Sequence, residues 1–311
     1  MIEQEVTVPC GEIELKGLLC VPDGDGPFPA FLYVSGSGPI DRDDNISGMP
    51  LNNSKIIAEH LAQQGIASLR YDKRGVGESS GDFDLATYTD LVDDAAACAN
   101  FLIQHTATNP DKIYIVGHSE GTIIAPQVAI KNNKVAGIIL LSPFYEDAES
   151  LLMMQAKAMQ EMVQKSKGFR AGIWKLLAFI FDPVKSQRKL INKIKTTDKK
   201  VVRAGLAGKI SVIWVRELFE LDPEDIFRQS VTPALLIGGS KDFQCGPADV
   251  AKIEKIYGGE VEGHVVENMS HLLRKEENEP SIFNYQDQSK EPLLPEVLQL
   301  IEAWLQRQIS R

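Results

Sequence analysis

The chain has 311 residues, 43% of them hydrophobic, and a net charge of −10 from 33 lysines and arginines against 43 aspartates and glutamates. That length is enough to bury an ample core in one large α/β domain, or in one domain with a substantial insertion. The negative balance excludes broad nucleic-acid binding. Four cysteines, at 10, 20, 98 and 245, have neither metal-ligand spacing nor a close partner in sequence, so a zinc site and a disulfide framework are not expected and the thiols read as reduced. The start, Met1 to Val6, has no basic segment or apolar core of a signal peptide, and the longest apolar stretch, Ala171 to Phe181, is too short to span a bilayer and is interrupted by Lys175. A cytoplasmic location without stable membrane insertion is expected.

Along the chain, Glu3 to Val8 and Glu12 to Val21 alternate in polarity around the turn signal Pro9-Cys10-Gly11, which predicts an antiparallel pair. Ala30 to Val34 is a continuous apolar run, as in a strand covered on both faces, and ends in Ser35-Gly36-Ser37-Gly38-Pro39. Strands and helices then alternate: helix over 53–64, strand over 66–71, helix over 87–105, strand over 112–116, helix over 122–130 and strand over 135–141. This rhythm predicts a mostly parallel, doubly wound sheet behind the antiparallel N-terminal strands. It breaks at Ser142-Pro143. Residues 145–229 are rich in helix formers, with one possible strand at Ile210 to Val215. Leu151, Met154, Ala158 and Met162 share one helical face there. The rhythm resumes with a strand over 234–237, a helix over 249–256, a strand over 261–267 and a final helix over 295–308. Residues 1–144 and 230–311 are therefore expected to form one core, with 145–229 a mainly helical cap inserted in it.

The chemistry starts at Gly117-His118-Ser119-Glu120-Gly121, between a β-branched strand and a helix. A serine at the apex of so tight a turn projects its hydroxyl above the sheet, and the flanking glycines let the backbone double back. A serine hydroxyl is a weak nucleophile near neutral pH and needs a base, which in turn needs a third group to fix its tautomer. Of the five histidines, His60 and His105 fall on helices upstream, His118 reads as a packed elbow residue and His264 lies within a strand. His271 follows the last strand in a loop and is the expected base, with His264 as the fallback. Asp242, just past the strand that follows 145–229, is the expected acid, with Asp147 as its rival at the same sheet edge. A tetrahedral oxyanion needs two donors. The backbone N–H groups of Glu120 and Ser37 are the candidates, with Gly38 next after Ser37. No metal and no organic cofactor enter this scheme.

Three charged stretches remain. Asp41-Arg42-Asp43-Asp44 and Tyr71-Asp72-Lys73-Arg74-Gly75-Val76-Gly77-Glu78-Ser79 both follow strands, and Arg42 or Arg74 could hold an anion, though arginine–aspartate pairs shaping tight loops are the expected role. Lys185 to Arg203 carries eight basic residues and one acid, Asp198, which reads as a solvated helix face or as a cationic edge of the cap.

The order Ser119, Asp242, His271, the elbow and the helical insertion before the acid resemble the α/β-hydrolase superfamily. Within it, Gly36-Ser37-Gly38-Pro39-x-Asp41-Arg42-Asp43, Arg70-Tyr71-Asp72-x-Arg74-Gly75-x-Gly77-x-Ser79 and Gly117-His118-Ser119-Glu120-Gly121 look like bacterial serine carboxylesterases close to prolyl aminopeptidase-like and dipeptidyl-peptidase-like hydrolases. The oxyanion loop departs from the His-Gly-Gly-Gly of hormone-sensitive-lipase-type esterases, and serine at 119 disfavours haloalkane dehalogenases, which carry aspartate there. The resemblance implies an α/β-hydrolase fold, the triad roles and acyl transfer, and leaves the acyl group open; with the methionine-bearing cap helix expected to line an adaptable apolar pocket, a small-molecule ester of small to medium acyl size is the expected substrate. A thioesterase or an aminopeptidase would use the same triad. A non-catalytic small-molecule binder on a hydrolase scaffold is the reading from another class.

Overall fold

The computed structural model describes residues 1–46, 48–165, 182–203 and 208–311, so the apolar stretch 171–181 lies outside the described residues. In chain order, β1 (Ile2–Cys10), β2 (Ile13–Val21), β3 (Phe28–Val34), α1 (Asn53–Ala62), β4 (Ala67–Tyr71), α2 (Tyr88–Gln104), β5 (Thr108–His118), α3 (Gly121–Lys131) and β6 (Val135–Leu141) come first. Next come α4 (Ala148–Lys165), α5 (Pro183–Thr196), β7 (Val201–Arg203), β8 (Lys209–Ser211), α6 (Val212–Glu220) and α7 (Pro223–Gln229). The chain closes with β9 (Ala234–Gly239), α8 (Ala248–Ile256), β10 (Val261–Val266), α9 (Tyr285–Gln288) and α10 (Pro295–Ile309).

The large sheet has eight strands in the order β1-β2-β4-β3-β5-β6-β9-β10. β1 and β2 pair antiparallel, β2 is antiparallel to β4, and the remaining pairs are parallel. The strands of this parallel part read as unbroken apolar runs because successive side chains enter two different cores. Leu32, Ile115, Ile138 and Leu236 pack with α2, α3 and α8 on one face. Phe31, Tyr33, Tyr114, Val116, Ile139 and Ile237 pack with α1 and α10 on the other. The face of α10 formed by Val297, Ile301, Trp304 and Leu305 is buried, as its helical spacing predicts.

Two expectations between β6 and β9 are corrected. Ile210 to Val215 is not one strand: only Lys209–Ser211 is extended, and α6 begins at Val212. Ser211 caps that helix by accepting from the Trp214 N–H at 3.3 Å, and Val212 and Val215 pack on Ile194 and Val202. A serine cap therefore overrides the β-branched run. On α4, the buried side chains are Ala148, Leu151, Ala156 and Val163, and Met154, half-buried, packs against the same core as Leu151, so the inward stripe shares Leu151 and Met154 with the predicted face, whereas Ala158 and Met162 are only partly buried.

Candidate active site

The chain reverses direction across the sheet between β3 and β5, which lie side by side, Val34 opposite Gly117. At such a switch point the loops leaving the two strands part and open a crevice at their C-terminal ends. The Ser35 to Pro39 loop and the elbow after β5 border it. Ser119 sits in the left-handed region at φ 52°, held there by its N–H donating to the Leu141 carbonyl at 3.0 Å. The two flanking glycines are required by close approach: a Cβ on Gly117 would lie 2.2 Å from the Gly121 carbonyl oxygen, and one on Gly121 would lie 2.2 Å from that of Val34.

β9 and β10 deliver the other two groups. The Ser119 hydroxyl lies 3.1 Å from His271 Nε2, and His271 Nδ1 lies 2.8 Å from Asp242 Oδ2. Asp242 is an acceptor only when ionised, so Nδ1 carries the proton and Nε2 is left to accept from the serine. Burial pushes the Asp242 carboxyl up, but the attraction and hydrogen bond of His271, with the Cys245 N–H, more than reverse this and hold it below the ordinary carboxylate range. Asp242, Cys245 and His271 bring three possible metal-ligating atoms within 4.8 Å. Of these, the Asp242 and His271 atoms already bond one another, and burial raises the Cys245 thiol well above its ordinary value.

The rival residues stand elsewhere. His264 bonds Glu262 at 2.8 Å on the edge strand, and His60 bonds Glu302 at 2.8 Å. Asp147 accepts from the Ser150 N–H at 2.9 Å at the start of α4. Arg42 is paired with Asp72 and Glu78, and Arg74 with Asp90 and Asp94, so both arginines shape their loops. His118 is packed, as its place on the elbow suggests: its Nε2–H donates to the His271 carbonyl at 2.9 Å. Burial, then repulsion from His271, pushes its pKa down to about 3, so it stays neutral and pins the backbone of the histidine loop.

Four residues escape sequence reasoning. Lys73, 2% exposed, donates to the Gly36 carbonyl and to Glu120 Oε2, the latter at 3.2 Å. Glu120, the residue before α3, makes no side-chain cap bond and instead accepts from Lys73 and from the Trp214 indole N–H at 2.8 Å. Trp214 thereby ties α6 to the elbow. Arg274, buried, reaches from the histidine loop to Asn53 Oδ1 at 2.7 Å and to the Leu51 carbonyl at 2.6 Å. Asp44, 1% exposed and at φ 67°, accepts from Tyr33 and Asn53, and burial pushes its pKa up to about 6. The signal that was available for Lys73 is its place in a loop directly after a buried strand at the functional edge.

Neither the Ser37 nor the Glu120 backbone N–H donates to an acceptor among the described residues. Both residues line a cavity of about 550 Å³ together with Ser119 and His271. Its apolar wall comes from both sides: Ile40, Met49 and Leu51 from the loop after β3, and Leu151, Leu190 and Leu218 from α4, α5 and α6.

Residues 51–278, more than half of the chain, match the family model described as "Serine aminopeptidase, S33". The chain belongs to that family. Its fold is the α/β-hydrolase fold, as solved structures of low sequence identity also show. Est1E from Butyrivibrio proteoclasticus, solved with ferulic acid, superposes with a TM-score of 0.65 at 18% identity, covering 98% of this chain and 100% of that one. Proline iminopeptidase from Mycobacterium smegmatis superposes with a TM-score of 0.65 at 14% identity, covering 98% of each chain. In sequence, esterase EstD of Thermotoga maritima is 28% identical over 277 residues, 87% of this S33-family chain and 61% of that protein. The chain thus spans less than two thirds of the length of this curated relative. Loop residues 35–39, with Arg42 and Asp44, lie upstream of the family match.

Proposed function

We propose that this protein is a serine ester hydrolase that cleaves carboxylic esters of small to medium acyl groups through an acyl-enzyme. The observation that carries the reading is the hydrogen-bonded series Ser119, His271, Asp242 opening on a largely apolar cavity. Ser119 Oγ attacks the ester carbonyl carbon while its proton passes to His271 Nε2, and the Asp242 carboxylate stabilises the imidazolium. The oxyanion is held by the unengaged N–H groups of Ser37 and Glu120. Collapse expels the alcohol, which takes the proton from His271. Water then enters by the same base and releases the acid.

Two features favour an ester over an amine-bearing peptide. Among the described residues the carboxylates that line the cavity are Asp44 and Glu120, 1% and 2% exposed; Glu120 is engaged by Lys73 and Trp214 and Asp44, through Oδ2 alone, by Tyr33 and Asn53, and their burial keeps both from a substrate ammonium. The esterase named among the relatives points the same way. Residues 145–229 read as a helical cap over the site, which returns to the core at Phe227, 0% exposed beneath α3 and α8. Four unpaired cysteines fit the reducing interior of a cell, where a cytoplasmic location is proposed. Among the described residues no helix is long and apolar enough to cross a membrane.

Ser119→Ala is expected to lower kcat for 4-nitrophenyl butyrate by about 10⁴ to 10⁶, the range of triad deletions, and to abolish labelling by a fluorophosphonate probe. Near-normal turnover by this variant, or failure of folded wild-type protein to label, overturns the proposal.

A further inference from the structure

The Lys185 to Arg203 run finds no use in the triad chemistry, yet part of it lies against a second chamber. This chamber, about 530 Å³, adjoins the catalytic cavity, and Leu152, Gln155, Gln187, Leu190, Gln244 and Ile282 line both. Its wall also includes Lys189, Lys193 and Arg203, and no carboxylate lines it among the described residues.

Among the described residues two lysines of α5 are paired, whereas the three cations of this wall, like Arg188, which does not line it, are not. Lys185 is paired with Asp182 at 3.6 Å and Lys195 with Glu149, whereas Lys189, Lys193 and Arg203 have no acidic partner among the described residues. Lys189 and Lys193 stand four apart on one helix face, a like-charge spacing that disfavours the helix. An uncompensated cluster of this kind is stabilised by an anion between its members. A chain of net charge −10 attracts no anion by its overall field, so attraction has to come from such a local group. The apolar part of the wall, Leu152, Met159, Leu190 and Phe243, lines the same chamber as these three exposed cations and suits the hydrocarbon that joins an anion to the ester.

We propose that the outer chamber is an anion subsite, in which Lys189, Lys193 and Arg203 hold a carboxylate or phosphate carried by the substrate several atoms away from the scissile ester. The proposal rests on the ester-hydrolase reading and narrows its substrate to esters with a distal anionic group. Arginine takes such a group in bidentate fashion and the lysines act as point charges beside it.

The test compares matched esters on the full chain. One series places the anion on the acyl side: the 4-nitrophenyl monoester of suberic acid, its methyl-capped neutral counterpart and the analogue ending in a phosphate monoester. The reciprocal series uses acetate esters of 8-hydroxyoctanoate, of its methyl ester and of octanediol monophosphate, followed by acid release. In one of the series the anionic ester is expected to exceed its neutral counterpart in kcat/KM by about tenfold or more at low salt, chiefly through KM, and the excess should fall as salt rises. The larger of the carboxylate and phosphate ratios assigns the group. Lys189→Gln/Lys193→Gln/Arg203→Gln should bring the ratio to about one, whereas Lys185→Gln/Lys195→Gln, which removes paired charges from the same helix, should leave it. A wild-type ratio of one in both series overturns the proposal, as does a ratio that survives the triple variant or falls equally in the control. Failure of the esterase reading looks different: no ester of either charge is turned over. In that event calorimetric binding of the same pairs to Ser119→Ala protein still decides the subsite, by whether the triple substitution removes the preference for the anion.

Discussion

The sheet edge and the segment between β6 and β9 hold their parts of the cavity in different ways. At the sheet edge each group is fixed by buried, directional contacts: strained backbone at Ser119, a carboxylate under His271, a carbonyl under His118 and the Lys73 ammonium under the Gly36 loop. Across the cavity, α4, α5 and α6 contribute mostly apolar side chains, and the smaller cluster beneath them is built on Ile194, Val202, Val212 and Val215. Directional contacts hold atoms to within a fraction of an ångström, which is what the proposed proton transfer between Ser119 and His271 requires. Apolar contact tolerates displacement, which suits a wall that, on the proposed function, accepts acyl chains of differing shape. On that reading the contrast assigns rate and selectivity to separate pieces of this fold.

The strongest way to break that division is at Lys73. Lys73→Met leaves the Glu120 carboxylate buried without its cation and should destabilise the protein by about 3–5 kcal/mol in urea unfolding. Adding Glu120→Gln should recover most of the stability but not the activity, because the Gly36 carbonyl stays unanchored and the Ser37 N–H drifts from the oxyanion. Recovery of full kcat together with stability would show that Lys73 acts through charge balance alone.

A smaller effect sharpens the electrostatic side of the comparison. Two buried carboxylates face this site and are displaced in opposite directions. Asp44 is raised to about 6 from an ordinary 3.8, so the folded protein keeps its proton to higher pH than the unfolded chain does. The stability it contributes is complete below pH 3.8 and is lost as pH rises through about 6. Asp242 is lowered, so its contribution is complete above 3.8 and is lost only as pH falls below that value. Asp44→Asn should therefore match wild type near pH 4 and exceed it at pH 7 by up to about 3 kcal/mol, which flattens the melting temperature between pH 4 and 7. An amide oxygen can accept from Tyr33 and Asn53 as the carboxylate does, and asparagine tolerates the left-handed backbone at this position. Unchanged pH dependence in the variant would place the penalty elsewhere.

What could be read from the chain follows the same boundary. The elbow was legible because its constraint is local: Gly117 and Gly121 stand two residues either side of Ser119 and leave no room for a Cβ. Asp242 and His271 were legible because each follows a recognisable strand, and topology carries such loops to one edge. The contacts that hold these loops were not, because their partners lie far away in sequence. Lys73 meets Glu120 across 47 positions, Trp214 meets Glu120 across 94 and Arg274 meets Asn53 across 221. The partly misplaced face of α4 has a related cause. Leu151 and Met154 face the core as predicted, but the remaining alternatives, Ala158 and Met162 or Ala156 and Val163, are all apolar, and only the neighbours the helix packs against decide which stripe turns inward.

Trp214 is where the two regions meet, and it gives the smallest and most discriminating prediction. Its ring lines the cavity from α6, while its N–H reaches Glu120 beside Ser119. Trp214→Phe keeps most of the apolar wall and removes the one donor, leaving Glu120 to Lys73 alone. The loss of a single hydrogen bond to a charged group is worth about 1.5 kcal/mol, or roughly tenfold. If α6 is only a wall, that loss should appear in KM and vary with the acyl chain. If the indole N–H also helps to fix the elbow, it should appear in kcat and be the same for every ester. A division of labour between the sheet edge and α6 predicts the first outcome. A kcat effect uniform across acyl lengths would mean that α6 belongs with the proposed catalytic edge, and that its position and the proposed oxyanion geometry are coupled through Glu120 and Lys73.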